Sequence, residues 1–152
     1  MTIHVVNKGK NGEREIADLL RTEIYVLIAR NTWDDETNSK LYDLVQRNQN
    51  QSAEGGGDIN LLGLSVEVKR CETLEVEKWW RQATASAERN GDAPVLIYRQ
   101  NRKAWHVVME VGLGVTASST MRVRGTIDIE SFKMWFSAYA KAKIDAGELN
   151  RI

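Results

Sequence analysis

The segment Leu64-Ser65-Val66-Glu67-Val68-Lys69 is the feature that most constrains the fold of this chain. In a β-strand, successive side chains point to opposite faces. Val66 and Val68 are therefore predicted to face a core, while Glu67 and Lys69 share the other face with Cβ atoms roughly 7 Å apart, twice the rise per residue. An isolated triplet of this kind is also typical of a solvated strand face that carries an ion pair.

The residues before this strand predict a hairpin. The glycines of 55–57 allow a tight turn, and the short apolar-rich run 58–62 is separated from the strand by Gly63. If the two runs pair, Asp58 and Glu67 lie close together and repel unless a cation sits between them. Ligation by oxygen alone favours magnesium or manganese. The alternative is a flexible turn with an ordinary turn aspartate, and the segment alone does not decide between the two.

Hydrophobic periodicity predicts the remaining elements. Residues 12–29 are predicted to form an amphipathic helix with Glu13 in its first turn, where the helix dipole favours an acidic side chain. A loop over 31–40 and a strand or extended segment over 41–49 are expected to follow. Further predictions are a helix over 74–90, strands over 95–99 and 105–109, and a last helix over 130–146 with an aromatic stripe of Phe132, Trp135, Phe136 and Tyr139.

This order of elements predicts an α/β (α+β) fold with a central mixed sheet flanked by helices. At 152 residues the chain is expected to be a single domain, with a core over about 8–109 and a C-terminal extension that contains the last helix. The aromatic stripe is equally suited to burial in that domain and to a dimer interface. No role is predicted for residues 110–128.

Composition excludes several classes of function. One cysteine, Cys71, excludes an internal disulfide framework, and with only two histidines a zinc site is not expected. No run reaches the ~20 apolar residues of a membrane span, and the N-terminus lacks the layout of a signal peptide. We therefore expect a cytoplasmic protein without a membrane partner or an organic cofactor. The 21 basic and 21 acidic residues balance, so net charge gives no general attraction to nucleic acid.

Three ordered motifs resemble a known superfamily. Asp58 with Glu67-Val68-Lys69 resembles the PD-(D/E)xK nuclease signature, with Gly57 in place of the proline. The segment 8–14, Lys-Gly-Lys-Asn-Gly-Glu-Arg, resembles the first motif of archaeal-type Holliday-junction resolvases. Segments 66–71, 79–82 and 93–96 are similar to small phage-encoded resolvase-like nucleases. The resemblance covers residues 8–109 and implies a restriction-endonuclease-like core.

The resemblance also implies roles for individual residues. Asp58, Glu67 and the Val68 carbonyl would hold Mg²⁺ or Mn²⁺, and Glu13 would join the same metal site. Lys69 would orient the attacking water or stabilise developing negative charge. Gln82 would face the site from the helix after the signature strand, although an exposed helix glutamine is at least as well supported. From the residue alone, Glu13 is a helix-terminal charge, so its catalytic role rests on the resemblance.

Candidate DNA contacts lie around this predicted site. Lys8, Lys10 and Arg14 cluster where the first helix is predicted to begin, a position suited to a phosphate. Gln51 and Ser52 belong to a polar run before the glycines, and Arg70 follows the signature strand. Taken singly, each charged side chain fits an ordinary solvated surface better than a DNA contact.

These expectations converge on a metal-dependent, structure-selective DNA endonuclease. The preferred hypothesis is a Holliday-junction resolvase acting as a homodimer, because two symmetric cuts need two sites related by a two-fold axis. It would be phage-encoded and act in the host cytoplasm. The alternatives are a replication, repair or restriction nuclease acting on duplex, flap or single-stranded DNA, an inactive DNA-binding module on a nuclease fold, and chance motifs in an unrelated α/β protein.

Overall fold

A five-stranded sheet with helices on both faces organises the chain. The computed structural model describes residues 3–53 and 59–150, with the side chains of 11–46 and 59–149. The elements are α1 (Ile3–Arg30), α2 (Asp35–Ala53), β1 (Ile59–Leu61), β2 (Leu64–Arg70), α3 (Val76–Asn90), β3 (Ala93–Arg99), β4 (His106–Thr116), β5 (Ser119–Asp128), α4 (Ile129–Asp145) and a short 3-10 helix (Glu148–Asn150). Within these described residues, no helix is both long and apolar enough to cross a membrane.

The strands follow one another across the sheet in chain order, β1-β2-β3-β4-β5. β2 and β3 are parallel, because α3 connects them, and the other neighbouring pairs are antiparallel. This is the mixed sheet flanked by helices that the sequence predicts, and it has the arrangement of a restriction-endonuclease-like fold. The predicted helices over 74–90 and 130–146 and the strand over 95–99 are confirmed within two residues at each end.

The predicted hairpin is present as β1 and β2. Its register joins Ile59 to Val66 and Leu61 to Leu64, so the loop is only Leu62-Gly63. Both loop residues have positive φ, 51° and 82°, which is the backbone of a type I′ turn and suits the twist of paired strands. The Tyr139 hydroxyl donates a hydrogen bond to the Leu62 carbonyl at 2.7 Å. The loop is thus anchored to α4, and the register of β2 is set from its first residue.

Alternation along the strands gives the sheet two different apolar faces. On the first, the α1 face, Val66 and Val68 pack in one cluster with Ile16 of α1 and with Phe132 and Phe136 of α4. On the second, the α3 face, Leu96 and Val108 pack against Trp79 and Ala83 of α3. Phe132 and Phe136 are completely buried, and Trp135 and Tyr139 pack against the same cluster. The aromatic stripe therefore belongs to the protein's own core.

The predictions for residues 31–49 are wrong, because α2 occupies most of this segment. The acidic run read as a loop is the start of a helix, where Asp34 Oδ1 accepts a hydrogen bond from the Thr37 amide at 2.7 Å. Leu41, Leu44 and Val45 have helical spacing and are all buried. Only these few apolar positions mark the buried side, so the periodicity was too short to separate a helix from a strand.

The first helix begins at Ile3 and not at Gly12, so Glu13 lies about three turns inside α1 rather than in its first turn. Glycine in a helix costs only about 1 kcal/mol relative to alanine, so Gly9 and Gly12 need not end one. At Gly12 the missing side chain is used for packing, because a Cβ there would lie 3.4 Å from both Arg70 Cβ and Trp105 Cη2.

Residues 110–128, for which the sequence predicted nothing, complete β4 and form β5. β4 pairs with β3 only over His106–Met109, whereas it pairs with β5 along its whole length. In the described chain, residues 110–124 therefore form a two-stranded projection, here named the ribbon. Arg124 braces its base through two hydrogen bonds to the carboxylate of Glu77 in the first turn of α3, at 2.6 and 3.0 Å.

We predict that Leu41→Ala lowers the free energy of unfolding by about 2–5 kcal/mol, because it leaves a cavity at a completely buried site. Urea unfolding followed by circular dichroism measures this. The control is Asp43→Ala, an exposed position on the same helix, which is expected to change stability by less than about 0.5 kcal/mol. Equal effects of the two substitutions would contradict the packing of α2.

We also predict that Arg124→Gln raises the pKa of Glu77. In the wild type, the hydrogen bonds from Arg124 hold the pKa of this carboxyl below its ordinary value. Stability from the pair is therefore present above the unfolded pKa and is lost as pH falls through the lower, folded pKa. NMR titration of the Glu77 carboxyl tests this, and Arg124→Lys, which keeps the charge without the fork, should give an intermediate pKa. An unchanged pKa in Arg124→Gln would contradict the brace.

Candidate active site

Glu67 and Lys69 lie side by side on a central strand, as their spacing predicts. Lys69 Nζ is 3.1 Å from Glu67 Oε1, and the two side chains are only 27% and 16% exposed. They stand opposite Leu96 and Tyr98 of β3 in the parallel register, so both project from the α3 face. A carboxylate and an ammonium are thereby held together on a rigid strand with limited access to water.

The peptide group of Val68 points in a different direction from these two side chains. The amide of Cys71 donates to the Arg99 carbonyl across the β2–β3 pair at 3.1 Å. Because peptide direction alternates along a strand, the backbone groups of Val68 point away from β3, toward the β1 side of β2. On that side, the described part of β1 begins at Ile59, opposite Val66. The Val68 carbonyl therefore lies beyond the last described pair of the hairpin.

Asp58 lies outside the described residues, so its predicted place beside Glu67 is not tested. In the chain it directly precedes Ile59, whose strand partner Val66 directly precedes Glu67.

Glu13 lies on α1, the helix that packs on the opposite face of the sheet from Glu67 and Lys69. It lies one turn before Ile16 and Ala17 on the buried stripe of the helix, is itself half-buried, and its Oε2 atom is inaccessible to solvent. The neighbouring Gly12 packs against the side chains of Val68 and Arg70. A carboxylate on the core-facing stripe of a helix is uncommon, because burying a charge is costly unless it is compensated.

A network that the sequence did not predict joins Glu15 of α1 to Arg99 and Trp105. Trp105 Nε1 donates to Glu15 Oε1 at 3.0 Å, Arg99 Nη2 lies 3.5 Å from Glu15 Oε2, and the Arg99 guanidinium stacks over the Trp105 ring at 4.8 Å. These partners are some ninety positions apart in the chain, so no local spacing could have revealed them. The network fixes α1 against the carboxyl ends of β3 and, through register, β2.

Arg70 belongs to this same α1 face of the sheet, and not to the face that carries Glu67 and Lys69. It stands opposite Arg99 in the β2–β3 register, and its Nε atom donates to Asn101 Oδ1 at 3.4 Å. Two arginines therefore lie next to each other at the carboxyl ends of the parallel strands, near Gly12 and Glu15 of α1.

The other predicted site residues are only partly placed. Gln82 is exposed on α3, the helix that covers the face of Glu67 and Lys69. Arg14 is exposed on α1, and the side chains of Lys8, Lys10, Gln51 and Ser52 lie outside those described. Because α1 begins at Ile3, these lysines and Arg14 are within the helix. The argument that a phosphate binds them at a helix N-terminus is therefore wrong.

The oxygen atoms that β2 offers as metal ligands suit a hard divalent cation. The Glu67 carboxylate and the Val68 carbonyl provide the oxygen ligands that Mg²⁺ and Mn²⁺ prefer. Among the residues that the structure describes, no group of three or more histidine, cysteine or acidic side chains forms a complete metal site. A centre built on Glu67 therefore needs further ligands, for which Asp58, a backbone carbonyl and water are the candidates.

A mixed sheet of this order, with the Glu-x-Lys pair on the strand that follows a two-residue hairpin, is the arrangement expected of the PD-(D/E)xK class. Residues 4–139 match the family described as "Phage putative PDDEXK endonuclease", and the chain belongs to that family. No curated protein and no solved structure gives a significant match. The family confirms the superfamily that the motifs of residues 8–109 predict.

We predict that Gly12→Val destabilises the protein by about 1–3 kcal/mol, because a branched side chain must push against Arg70 and Trp105 where space is lacking. Gly12→Ala is the matched control: its tight 3.4 Å contacts are opposed by a gain of about 1 kcal/mol in helix propensity. Urea unfolding of both variants measures the difference. Equal stability of the two would show that α1 does not approach β2 closely.

Proposed function

We propose that this nuclease is a metal-dependent DNA endonuclease acting at Glu67 and Lys69. The observation that carries the proposal is the ion pair of 3.1 Å between these side chains on a central strand, in a chain of a PDDEXK endonuclease family. An exposed surface pair has little stabilising value. A half-buried pair on the signature strand, by contrast, presents opposite charges in fixed positions to a phosphodiester.

In this proposal Glu67 and the Val68 carbonyl hold Mg²⁺ or Mn²⁺, together with Asp58 and Glu13. The support is that the Val68 carbonyl points to the β1 side of β2 and that Asp58 precedes the first residue of β1. Glu13 lies on α1, on the opposite face of the sheet from Glu67, next to Gly12, whose Cβ position is 3.8 Å from Val68 Cγ1. When bound, such an ion lowers the pKa of a water nucleophile and polarises a phosphoryl oxygen.

Lys69 supplies the other charge that hydrolysis needs. Its ammonium is a compact donor, and the contact with Glu67 keeps it from swinging into solvent. In the proposed reaction it hydrogen-bonds the attacking water or a phosphate oxygen as negative charge develops there. Gln82, on the helix above this face, is proposed to contact the DNA or the water at the edge of the site.

The proposed substrate is branched DNA, with a four-way junction preferred. The support for this is the resemblance of segment 8–14 to archaeal-type resolvases. On the same resemblance we propose that the protein is a homodimer with one active site in each chain. Lys8, Lys10, Arg14, Gln51, Ser52 and Arg70 are proposed to contact DNA outside the metal centre. The chain would act as a single domain in the cytoplasm of a phage host.

Cleavage of DNA with defined shapes tests the proposal. In Mg²⁺, the wild type is expected to cut a synthetic four-way junction faster than a linear duplex with the same arm sequence, and EDTA should abolish both reactions. Glu67→Gln and Lys69→Ala are each expected to reduce the rate about 100-fold or more, the usual cost of losing one transition-state contact. Asp58→Asn should behave in the same way.

Controls separate loss of chemistry from loss of fold. Lys133→Ala removes an ion pair with Glu130 on α4, at 3.5 Å, and is expected to cut DNA normally. Calorimetric titration with Mn²⁺ gives a second readout, since Glu67→Gln should weaken metal binding while Lys69→Ala should not. Wild-type rates in Glu67→Gln and Lys69→Ala would overturn the site. Equal cleavage of duplex and junction would support the proposed nuclease activity but contradict the proposed preference for four-way junctions.

A further inference from the structure

The ribbon has two chemically different faces. On one face are the cross-strand pairs Glu110–Arg124, Gly112–Arg122 and Gly114–Thr120. On the other are the pairs Val111–Val123 and Leu113–Met121. The first is named the polar face and the second the apolar face. Val111 packs against the core cluster of the α1 face, so the polar face continues the α3 face of the sheet.

This continuity places the polar face of the ribbon on the same side of the protein as the candidate active site. Following the registers across the sheet, Glu67 is opposite Leu96, Leu96 is opposite Val108, and Val108 is opposite Thr126. Gly112 lies four residues beyond Val108 on β4, about 13 Å along the strand from the rise per residue. Lys69 is opposite Tyr98, and Tyr98 is opposite His106, so Gly112 lies six residues, about 20 Å along the strand, from the level of Lys69. A duplex that spans this distance on this side can touch the ribbon while one phosphate is near Lys69.

The charge of the ribbon suits a polyanion. The charged residues of the ribbon are Glu110, Arg122 and Arg124, which give it a formal charge of +1, and from Val111 to Ile127 the chain has no acidic residue. Arg124 is held by Glu77, whereas Arg122 is exposed and makes no ion pair with any described residue. Hydroxyl groups of Thr116, Ser118, Ser119 and Thr120 surround the tip, and such groups are frequent phosphate contacts.

The polar face has a position without a side chain, Gly114, where another molecule can come close to the backbone. At Gly112 a Cβ would lie 2.9 Å from Thr120 Cγ2, so no side chain fits there without a shift. At Gly114 a Cβ would have no atom within 4 Å, and the residue is exposed. Glycine inside a strand often marks such a close approach, and a two-stranded ribbon fits the major groove of B-DNA.

We propose that the polar face of the ribbon is a DNA-binding arm, which contacts the backbone of the duplex through Arg122 and through the open surface at Gly114. The proposal rests on the proposed nuclease function, because it concerns how the same substrate is held. The contact is to phosphate and groove shape, so it adds affinity without sequence preference.

The apolar face of the ribbon suggests a competing role, in which the ribbon binds another protein chain and not DNA. Leu113, Val115 and Met121 are 54%, 61% and 57% exposed, and an exposed apolar patch is typical of a protein interface. A second copy of this chain seated there would bury the tip of the ribbon. The experiment below includes variants on this face, so that the two occupants give different results.

Substitution of Gly114 by residues of opposite charge tests the DNA-binding arm, because a side chain fits there without displacing any atom. Binding of a fluorescein-labelled duplex is measured by anisotropy in EDTA, over a range of salt concentrations. Gly114→Lys is expected to tighten binding and Gly114→Glu to weaken it, each by about threefold or more. Arg122→Glu should weaken binding similarly and reduce the slope of log Kd against log salt by about one.

Matched variants identify the reason for any change. Charge reversal at exposed Arg30, at the far end of α1, and the pair Leu113→Lys and Leu113→Glu on the apolar face should alter affinity much less than the swaps at Gly114. Unchanged affinity in Gly114→Glu and Arg122→Glu, with wild-type DNA binding and cleavage retained, overturns the arm but not the nuclease. If Leu113→Glu instead converts a dimer to a monomer in sedimentation, the ribbon belongs to a second copy. If the wild type neither binds nor cuts DNA, both proposals fail.

Discussion

The register of β2 is the constraint on which the rest of this structure depends. The two-residue loop Leu62-Gly63 can close the hairpin in only one register, and a slip of one residue would exchange the two faces of the strand. Val66 and Val68 would then leave the core under α1, and Glu67 and Lys69 would be driven into it. The Tyr139 hydrogen bond to the Leu62 carbonyl adds a second restraint from α4. Apolar burial on one face therefore holds the charged pair on the other.

Much of the fold could be predicted from local patterns, where the pattern was long or chemically distinctive. The β1–β2 hairpin follows from Gly63 between two apolar runs, and α3 ends at Gly91 in the left-handed conformation that glycine favours. The order of elements gave the mixed sheet. The faces of Glu67 and Lys69 followed from strand alternation alone, since a side-chain period of two leaves no other arrangement.

The errors have physical reasons. α2 has few buried positions, so Leu41, Leu44 and Val45 fitted a strand as well as a helix, and its N-terminal cap at Asp34 looked like part of a polar loop. Gly9 and Gly12 suggested that α1 begins late, although Gly12 in fact lets the helix lie against Arg70 and Trp105. The ribbon has strands with glycines and exposed apolar residues, which give no clean alternation. The network of Glu15, Arg99 and Trp105 joins residues distant in sequence and only the fold reveals it.

In the candidate site, too, some features follow from local sequence patterns and others depend on contacts between distant elements. Glu67, Lys69 and the direction of the Val68 carbonyl follow from one strand, whereas the proposed participation of Glu13 and Asp58 depends on how α1 and the hairpin approach that strand. The account therefore rests on acidic side chains from separate elements sharing one divalent ion. Anomalous diffraction at the manganese edge, from crystals grown with Mn²⁺, tests this most directly. A peak bounded by Asp58, Glu67 and the Val68 carbonyl, with Glu13 beside it, is the predicted result. A peak elsewhere, or none in crystals of protein that cleaves DNA with Mn²⁺, would contradict it.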